Sequence, residues 1–146
     1  MRTLAIDFGT KRIGLAMSDA GGKFAAPLEV ITYTAIAPAT DAIVAIVQKE
    51  RVQKLVIGLP LNMDDSMSPM AAKAVEFGRS LSTVAAVPVV FVDERLSSFG
   101  AEQQMIDLKR AGAKLTRGMK KQQLDARAAA TFLQAYLDGQ LQPVEI

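Results

Sequence analysis

Apolar residues in this chain follow two periods, and the change from one to the other restricts the fold more than any single motif. Three short runs come first, Thr3 to Phe8, Arg12 to Ser18 and Ala25 to Thr32. Phe8-Gly9-Thr10-Lys11 has the turn chemistry to join the first two as a hairpin, and Ser18 to Lys23 makes a longer connection. Three strands joined this way predict an antiparallel meander. From about Thr40 the spacing turns helical through Ile43, Ile46, Val47 and Val52, with Thr40 or Asp41 as the expected cap. Lys54 to Gly58 (KLVIG) is a short buried strand that stops at Leu59-Pro60. Ser68-Pro69 then predicts a helix start, a capping hydroxyl followed by proline at the first helical position, running to about Ser82. Val87 to Val92 reads as another strand and Ser98 to Ala111 as a helix with Ser98 and Glu102 at its cap. Gly112 to Lys121, with little apolar periodicity, reads as an exposed, mobile loop. The last helix is expected from about Lys121 to Leu137, closing at Asp138-Gly139.

The order β-β-β-α-β-α-β-α-α predicts an α/β fold with a mixed sheet covered by helices. At 146 residues, half of them apolar, the chain matches one domain over 1–146. No internal repeat or linker divides it.

Two absences narrow the chemistry. Without cysteine there are no disulfides, thiolate nucleophiles or cysteine-held metals; without histidine there are no imidazole ligands and no histidine-based triads. Acid–base or metal chemistry therefore falls to carboxylates, lysine, tyrosine or hydroxyls. The N-terminus enters a charged segment by Asp7, unlike a signal peptide, and no apolar run approaches a membrane span, so a cytoplasmic setting and no membrane partner are expected. The net charge of +2 is unevenly spread. Lys109, Arg110, Lys114, Arg117, Lys120, Lys121 and Arg127 face one acid, Asp125, in a segment of charge +6, leaving −4 for the remainder. Such a segment suits a polyanion, although a solvated helix face explains it equally well.

Three acidic positions stand at the ends of elements. Asp7 closes the first strand, Asp93-Glu94 closes the VPVVFV strand, and Asp125 lies near the start of the last helix, one turn before Ala128 and Ala129. Each has an ordinary explanation: a turn acid, an ion pair with Arg95, a helix N-terminal charge. Together, in a chain without histidine, they form the oxygen donor set that hard divalent cations such as Mg²⁺ or Mn²⁺ require. Two such ions support phosphodiester hydrolysis, and the basic segment supplies contacts for a phosphate backbone.

Ala5-Ile-Asp-Phe-Gly-Thr-Lys-Arg-Ile-Gly-Leu-Ala16, Val56-Ile-Gly-Leu-Pro-Leu-Asn-Met-Asp64, Val92-Asp-Glu-Arg-Leu-Ser97 and Leu124-Asp-Ala-Arg-Ala-Ala129 resemble the motifs of the YqgF family, described as Holliday junction resolvases or pre-16S rRNA nucleases. The resemblance runs from about Thr3 to Leu137. It implies a ribonuclease H-like fold, a five-stranded mixed sheet whose first three strands are antiparallel, with helices on both faces. It also implies a nuclease whose catalytic acids are Asp7, Glu94 and Asp125 and whose metal ligands come from Asp7, Asp93, Glu94 and Asp125. Of the adjacent pair Glu94 is favoured, its longer side chain reaching beyond the strand. Lys11, Arg12, Asn62, Arg95, Lys120 and Lys121 are the expected substrate-binding residues. Two positions depart from the family pattern: Asp65 stands where glycine is common, and Ser98 where threonine is typical.

The implied partner is nucleic acid, pre-rRNA or branched DNA, with ribosomal precursor particles as the setting for the first. The resemblance favours processing of the pre-16S rRNA 5′ end over a DNA junction. A junction resolvase needs two symmetric sites and so a homodimer, whereas RNA processing is open to a monomer. Two other classes compete: a non-catalytic nucleic-acid or ribosome-assembly module, and an actin-like ATP-binding domain whose phosphate loop also carries an Asp-x-Gly-Thr hairpin.

Overall fold

The computed structural model describes residues 1–96 and 117–146, with the backbone alone over 117–124. Strands β1 (Thr3–Phe8), β2 (Arg12–Ser18) and β3 (Ala25–Thr32) lead into helix α1 (Ile36–Glu50). Strand β4 (Lys54–Leu59), helix α2 (Pro69–Ala85) and strand β5 (Val89–Asp93) follow, then a 3-10 turn at Glu94–Leu96 and helix α3 (Arg117–Leu137). The five strands form one sheet in the order β3-β2-β1-β4-β5. β1 pairs antiparallel with β2 and β2 with β3, while β4 runs parallel to both β1 and β5. This is the mixed sheet predicted from the change of period.

Alternation along the strands divides the core into two layers. Leu4, Ile6 and Phe8 of β1 turn to the face covered by α1 and α2, with Leu55 and Ile57 of β4 beside them. Ala5, Ala16, Val56 and Val92 turn to the opposite face, under Ala129, Phe132 and Leu133 of α3. Helices cover both faces at the centre of the sheet, which is why β4 is buried without interruption from Leu55 to Leu59, whereas the edge strand β3 is exposed from Ala26 to Glu29. Alanines on the α3 side let that helix lie close to the sheet. On the other side Gly78 does the same for α2, since a Cβ there would stand 2.4 Å from Ile57 Cδ1.

Several boundaries differ from expectation for identifiable reasons. α1 begins at Ile36, not near Thr40, and its cap residue is Ala35, with no side-chain cap. Pro38 lies in the first turn, where no intrahelical N–H is required, so it does not delay the helix. Thr40 instead donates from Oγ1 to the Ile36 carbonyl at 3.0 Å. α2 starts as expected, with Ser68 Oγ accepting from Ala71 N at 3.0 Å, but continues to Ala85. β5 starts at Val89, after Pro88, whose carbonyl accepts from Leu55 N. α3 starts at Arg117, so residues expected in a loop up to Lys121 are helical. The expected Ser98–Ala111 helix and the rest of the Gly112 loop lie outside the described residues. Among the described residues no helix is long and apolar enough to cross a membrane.

Candidate active site

Asp7 stands opposite Gly14 in the β1–β2 register and shares the α3-facing side of the sheet with Ala5. The neighbouring strands carry glycine on that face at both sides of it, and each makes room for another acid. A Cβ on Gly14 would stand 2.3 Å from the Asp125 carbonyl oxygen, so the α3 backbone rests directly on β2 where Asp125 sits. A Cβ on Gly58 would stand 2.8 Å from both Glu94 Oε2 and Phe132 Cε2. The carboxylate of Glu94 thus folds over β4 towards Asp7. Gly14, Asp7 and Gly58 form a shallow trough into which β5 and α3 each deliver one acid.

Crowding changes the protonation of this group. Burial pushes the Asp7 carboxyl well above the ordinary carboxylate range, and the charge of Glu94, a hydrogen bond with Glu94 and the charge of Asp125 act the same way. Glu94 is raised as well, by burial first; the hydrogen bond from Asp7 opposes the shift and the charge of Asp93 adds to it. The two carboxyls are thus joined by a hydrogen bond and both resist ionisation. Two acids kept together by a proton are a pair that a cation would allow to ionise, and their all-oxygen donor set fits Mg²⁺ or Mn²⁺. Asp125 faces another way: its Oδ2 accepts from Arg12 Nε at 2.7 Å. As the described residues are placed, no three acids stand close enough together to hold one ion. Asp7 and Glu94 stand together, and Asp125 is held by Arg12.

Asp93 does not join the cluster. Its carboxylate accepts from Arg95 through Nε at 2.9 Å and Nη2 at 2.7 Å, which holds it below its ordinary pKa. Arg95 also donates to Asp65 Oδ1 at 2.6 Å and to the Asn62 carbonyl. It ties the β4–α2 loop to the end of β5, so Asn62 and Arg95, both expected at the substrate, meet each other beside the acids. Asp65 has φ +67°, in the left-handed region that favours glycine, which accounts for glycine being common there; aspartate tolerates it and adds the ion pair.

Lys11 and Arg12 lie in the β1–β2 hairpin, closed by Gly9 N donating to the Arg12 carbonyl at 2.9 Å. Tyr33 pins that hairpin, its N–H donating to the Lys11 carbonyl at 3.0 Å and its hydroxyl to the Gly9 carbonyl. Lys11 is exposed and Arg12 half-buried against Asp125. Lys120 and Lys121 fall in α3, where the backbone alone is described.

A cavity of about 200 Å³ opens over the trough, lined by Asp7, Glu94, Arg95, Pro60, Leu61 and Phe132 among others. A larger one, about 420 Å³, lies beside Phe8, Tyr33, Met70 and Phe77, with Glu76 its one acid. Size does not decide between them; only the smaller joins two mutually perturbed carboxyls. Gly14, Gly58 and Tyr33 were not evident as site-building residues from the sequence, although a glycine inside a strand signals close approach of another group.

A mixed sheet of this order, with acids at the ends of β1 and β5 and on the helix across it, is a ribonuclease H-like fold. The sequence matches the family described as RuvX, Holliday junction resolvase, over residues 1–139, and the chain belongs to that family, the YqgF family of the motif resemblance. It is 41% identical over 140 residues to a protein of Caldanaerobacter subterraneus subsp. tengcongensis named "Putative pre-16S rRNA nuclease", covering 96% of this chain and 98% of that one. A protein of the same name from Syntrophomonas wolfei is 40% identical over 139 residues, 95% of each chain. Among solved structures, Thermus thermophilus RuvC superposes with a TM-score of 0.61 at 17% identity, covering 99% of this chain and 100% of that one. Fowlpox virus resolvase, solved with Holliday junction DNA, gives 0.55 at 10% identity, covering 95% and 98%. These two show the fold.

Proposed function

We propose that this chain is a divalent-metal-dependent nuclease that hydrolyses a phosphodiester in structured nucleic acid, with the 5′ end of pre-16S rRNA as its substrate. The placement of Asp7 between Gly14 and Gly58, with Glu94 and Asp125 brought in over those glycines, carries the reading. The names of the relatives at about 40% identity support the RNA substrate. The family description and the RuvC-like fold favour a second reading, cleavage of a four-way DNA junction.

The chain's own contribution is placement and charge. Asp7 and Glu94 would hold the cation once their shared proton has gone, and Asp125 would complete the set after exchanging Arg12 for it. A bound Mg²⁺ or Mn²⁺ supplies an activated water and stabilisation of the leaving oxygen. Arg12, released from Asp125, is within its own reach of the same trough and fits an incoming phosphate. Lys11 on the hairpin, with Lys120 and Lys121 on α3, would add backbone contacts, and these make binding salt-sensitive. Phe132, Leu61 and Pro60 wall the cavity and limit bulk water beside the acids.

The test sets a pre-16S rRNA 5′ leader beside a four-way DNA junction, each with Mg²⁺ or Mn²⁺, with chelator, and with Asp7→Asn. Chelator-sensitive cleavage of the leader that Asp7→Asn abolishes without loss of binding is the expected result. Junction cleavage alone would transfer the reading to DNA, and hydrolysis indifferent to chelator would overturn it. Binding without cleavage under either metal would favour an assembly module.

A further inference from the structure

The β4–α2 loop has one feature that its role as a cavity wall does not explain. Met63 is 98% exposed, the most exposed of the large apolar side chains among the described residues. It occupies a corner of a tight turn in which Asp65 N donates to the Asn62 carbonyl at 2.9 Å. Such corners ordinarily take Gly, Pro, Asn, Asp or Ser.

The turn is heavily braced. Asn62 N donates to the Ser66 carbonyl and Asn62 Nδ2 to Ser66 Oγ, each at 2.9 Å. Asp64 Oδ1 accepts from Ser66 N at 3.0 Å and from Ser66 Oγ at 2.5 Å. Arg95, adjacent to Glu94, grips Asp65 and the Asn62 carbonyl from below. Both acids at the tip are thereby folded back, Asp64 onto Ser66 and Asp65 onto Arg95. The foremost group is an apolar thioether on a rigid mount, two residues beyond Leu61 of the cavity wall. A tip that carries no cation does not suit a phosphate; it suits the face of a base. Apolar side chains presented in this way open base steps and kink nucleic acid.

We propose that Met63 is a wedge that enters the base stack beside the phosphodiester held over Asp7 and Glu94, unstacking one step of a paired RNA. This rests on the nuclease reading above. Arg95 is then a positioning residue: it fixes the wedge relative to Glu94 and touches neither the base nor the reacting atoms.

Two RNA duplexes with 2-aminopurine at the step next to the cleaved bond provide the test, one fully paired and one with that step opened by an unpaired nucleotide. In chelator, where binding is read without turnover, wild-type protein should raise the probe's fluorescence severalfold on the paired duplex. Met63→Ala should lose the rise and Met63→Phe keep it. With Mg²⁺ or Mn²⁺, Met63→Ala should slow cleavage of the paired duplex on the order of tenfold, yet less than about twofold for the opened one, because only the first requires unstacking. Equal cleavage of both duplexes by Met63→Ala, or an unchanged fluorescence rise, overturns the wedge. A rise that depends on Met63, with no cleavage of either duplex by wild type, supports the wedge and overturns the nuclease reading.

Discussion

Gly14 of β2 lies against the backbone of Asp125, so near that a methyl group in place of its hydrogen would stand 2.3 Å from the Asp125 carbonyl oxygen and 2.5 Å from the carbonyl carbon. No side chain is there to yield, so the contact fixes α3 on the sheet at the residue that brings the third acid. Gly14→Ala should force the helix outward, at a cost of about 1–3 kcal/mol, as for overpacking elsewhere in cores. The variant should unfold at lower urea and cleave less than its stability loss alone explains. Retained activity together with retained stability would show that the position tolerates a Cβ.

The mutual crowding of Asp7 and Glu94 makes metal-free stability depend on pH with a definite sign. Both folded-state pKa values lie above those of the unfolded chain, so between the two the folded state binds more protons. Stability from this pair is therefore highest below the unfolded carboxylate range and falls as pH rises through the folded values. Asp7→Asn removes the conflict. In chelator it should melt above wild type at neutral pH, with the difference shrinking as pH falls towards about 4, where the unfolded carboxyls are themselves protonated. Added Mg²⁺ should raise the wild-type melting temperature and leave Asp7→Asn nearly unmoved. The same melting curves for both proteins at every pH would remove the repulsion from the account.

Which parts of this were legible beforehand follows from how local each determinant is. The strands of the meander show in their own runs, and Ser68-Pro69 starts α2 through contacts within three residues, so both were read correctly. Asp7 and the Asp93-Glu94 pair were legible because they close strands, where a carboxylate is conspicuous against apolar neighbours; Asp125, expected near the start of the last helix, lies well inside α3 because that helix already begins at Arg117. Gly14 and Gly58 were not, because the room they leave is for Asp125 and Glu94, far along the chain. The sequence marks such glycines as places of close approach without saying what approaches. The ion pair of Arg95 with Asp93 was legible because the two are sequence neighbours, whereas its contacts with Asp65 and the Asn62 carbonyl depend on where the β4–α2 loop lands. The start of α1 was placed too late because its first turn, from Ile36, has no side-chain cap to mark it.

Ser68 tests the loop from its other end. Its hydroxyl accepts from Ala71 N at 3.0 Å and donates to the Pro60 carbonyl at 2.5 Å, joining the start of α2 to the cavity wall. Ser68→Ala should destabilise the protein by about 1 kcal/mol, the ordinary loss of a helix cap. Because Pro60 lines the cavity, the variant should also raise KM for nucleic acid; Ser68→Thr, which keeps the hydroxyl, should restore both. A stability loss with unchanged KM would confine Ser68 to capping.

Arg12 is paired with Asp125, and a cation taken by the same carboxylate would compete with that pairing, which gives opposite signs to two measurements. Both side chains remain about a third exposed or somewhat less, so the ion pair itself adds little, under about 1 kcal/mol after solvent screening. Arg12→Gln should barely move the unfolding midpoint. It should tighten divalent-cation binding, measured by calorimetry without nucleic acid, since Asp125 no longer has to leave a guanidinium. Nucleic-acid binding should weaken, with the slope of log affinity against log salt shallower by about one phosphate contact. Weaker cation binding in Arg12→Gln would mean that the arginine orients Asp125 for the ion and does not compete with it. An unchanged salt slope would remove Arg12 from the phosphate path.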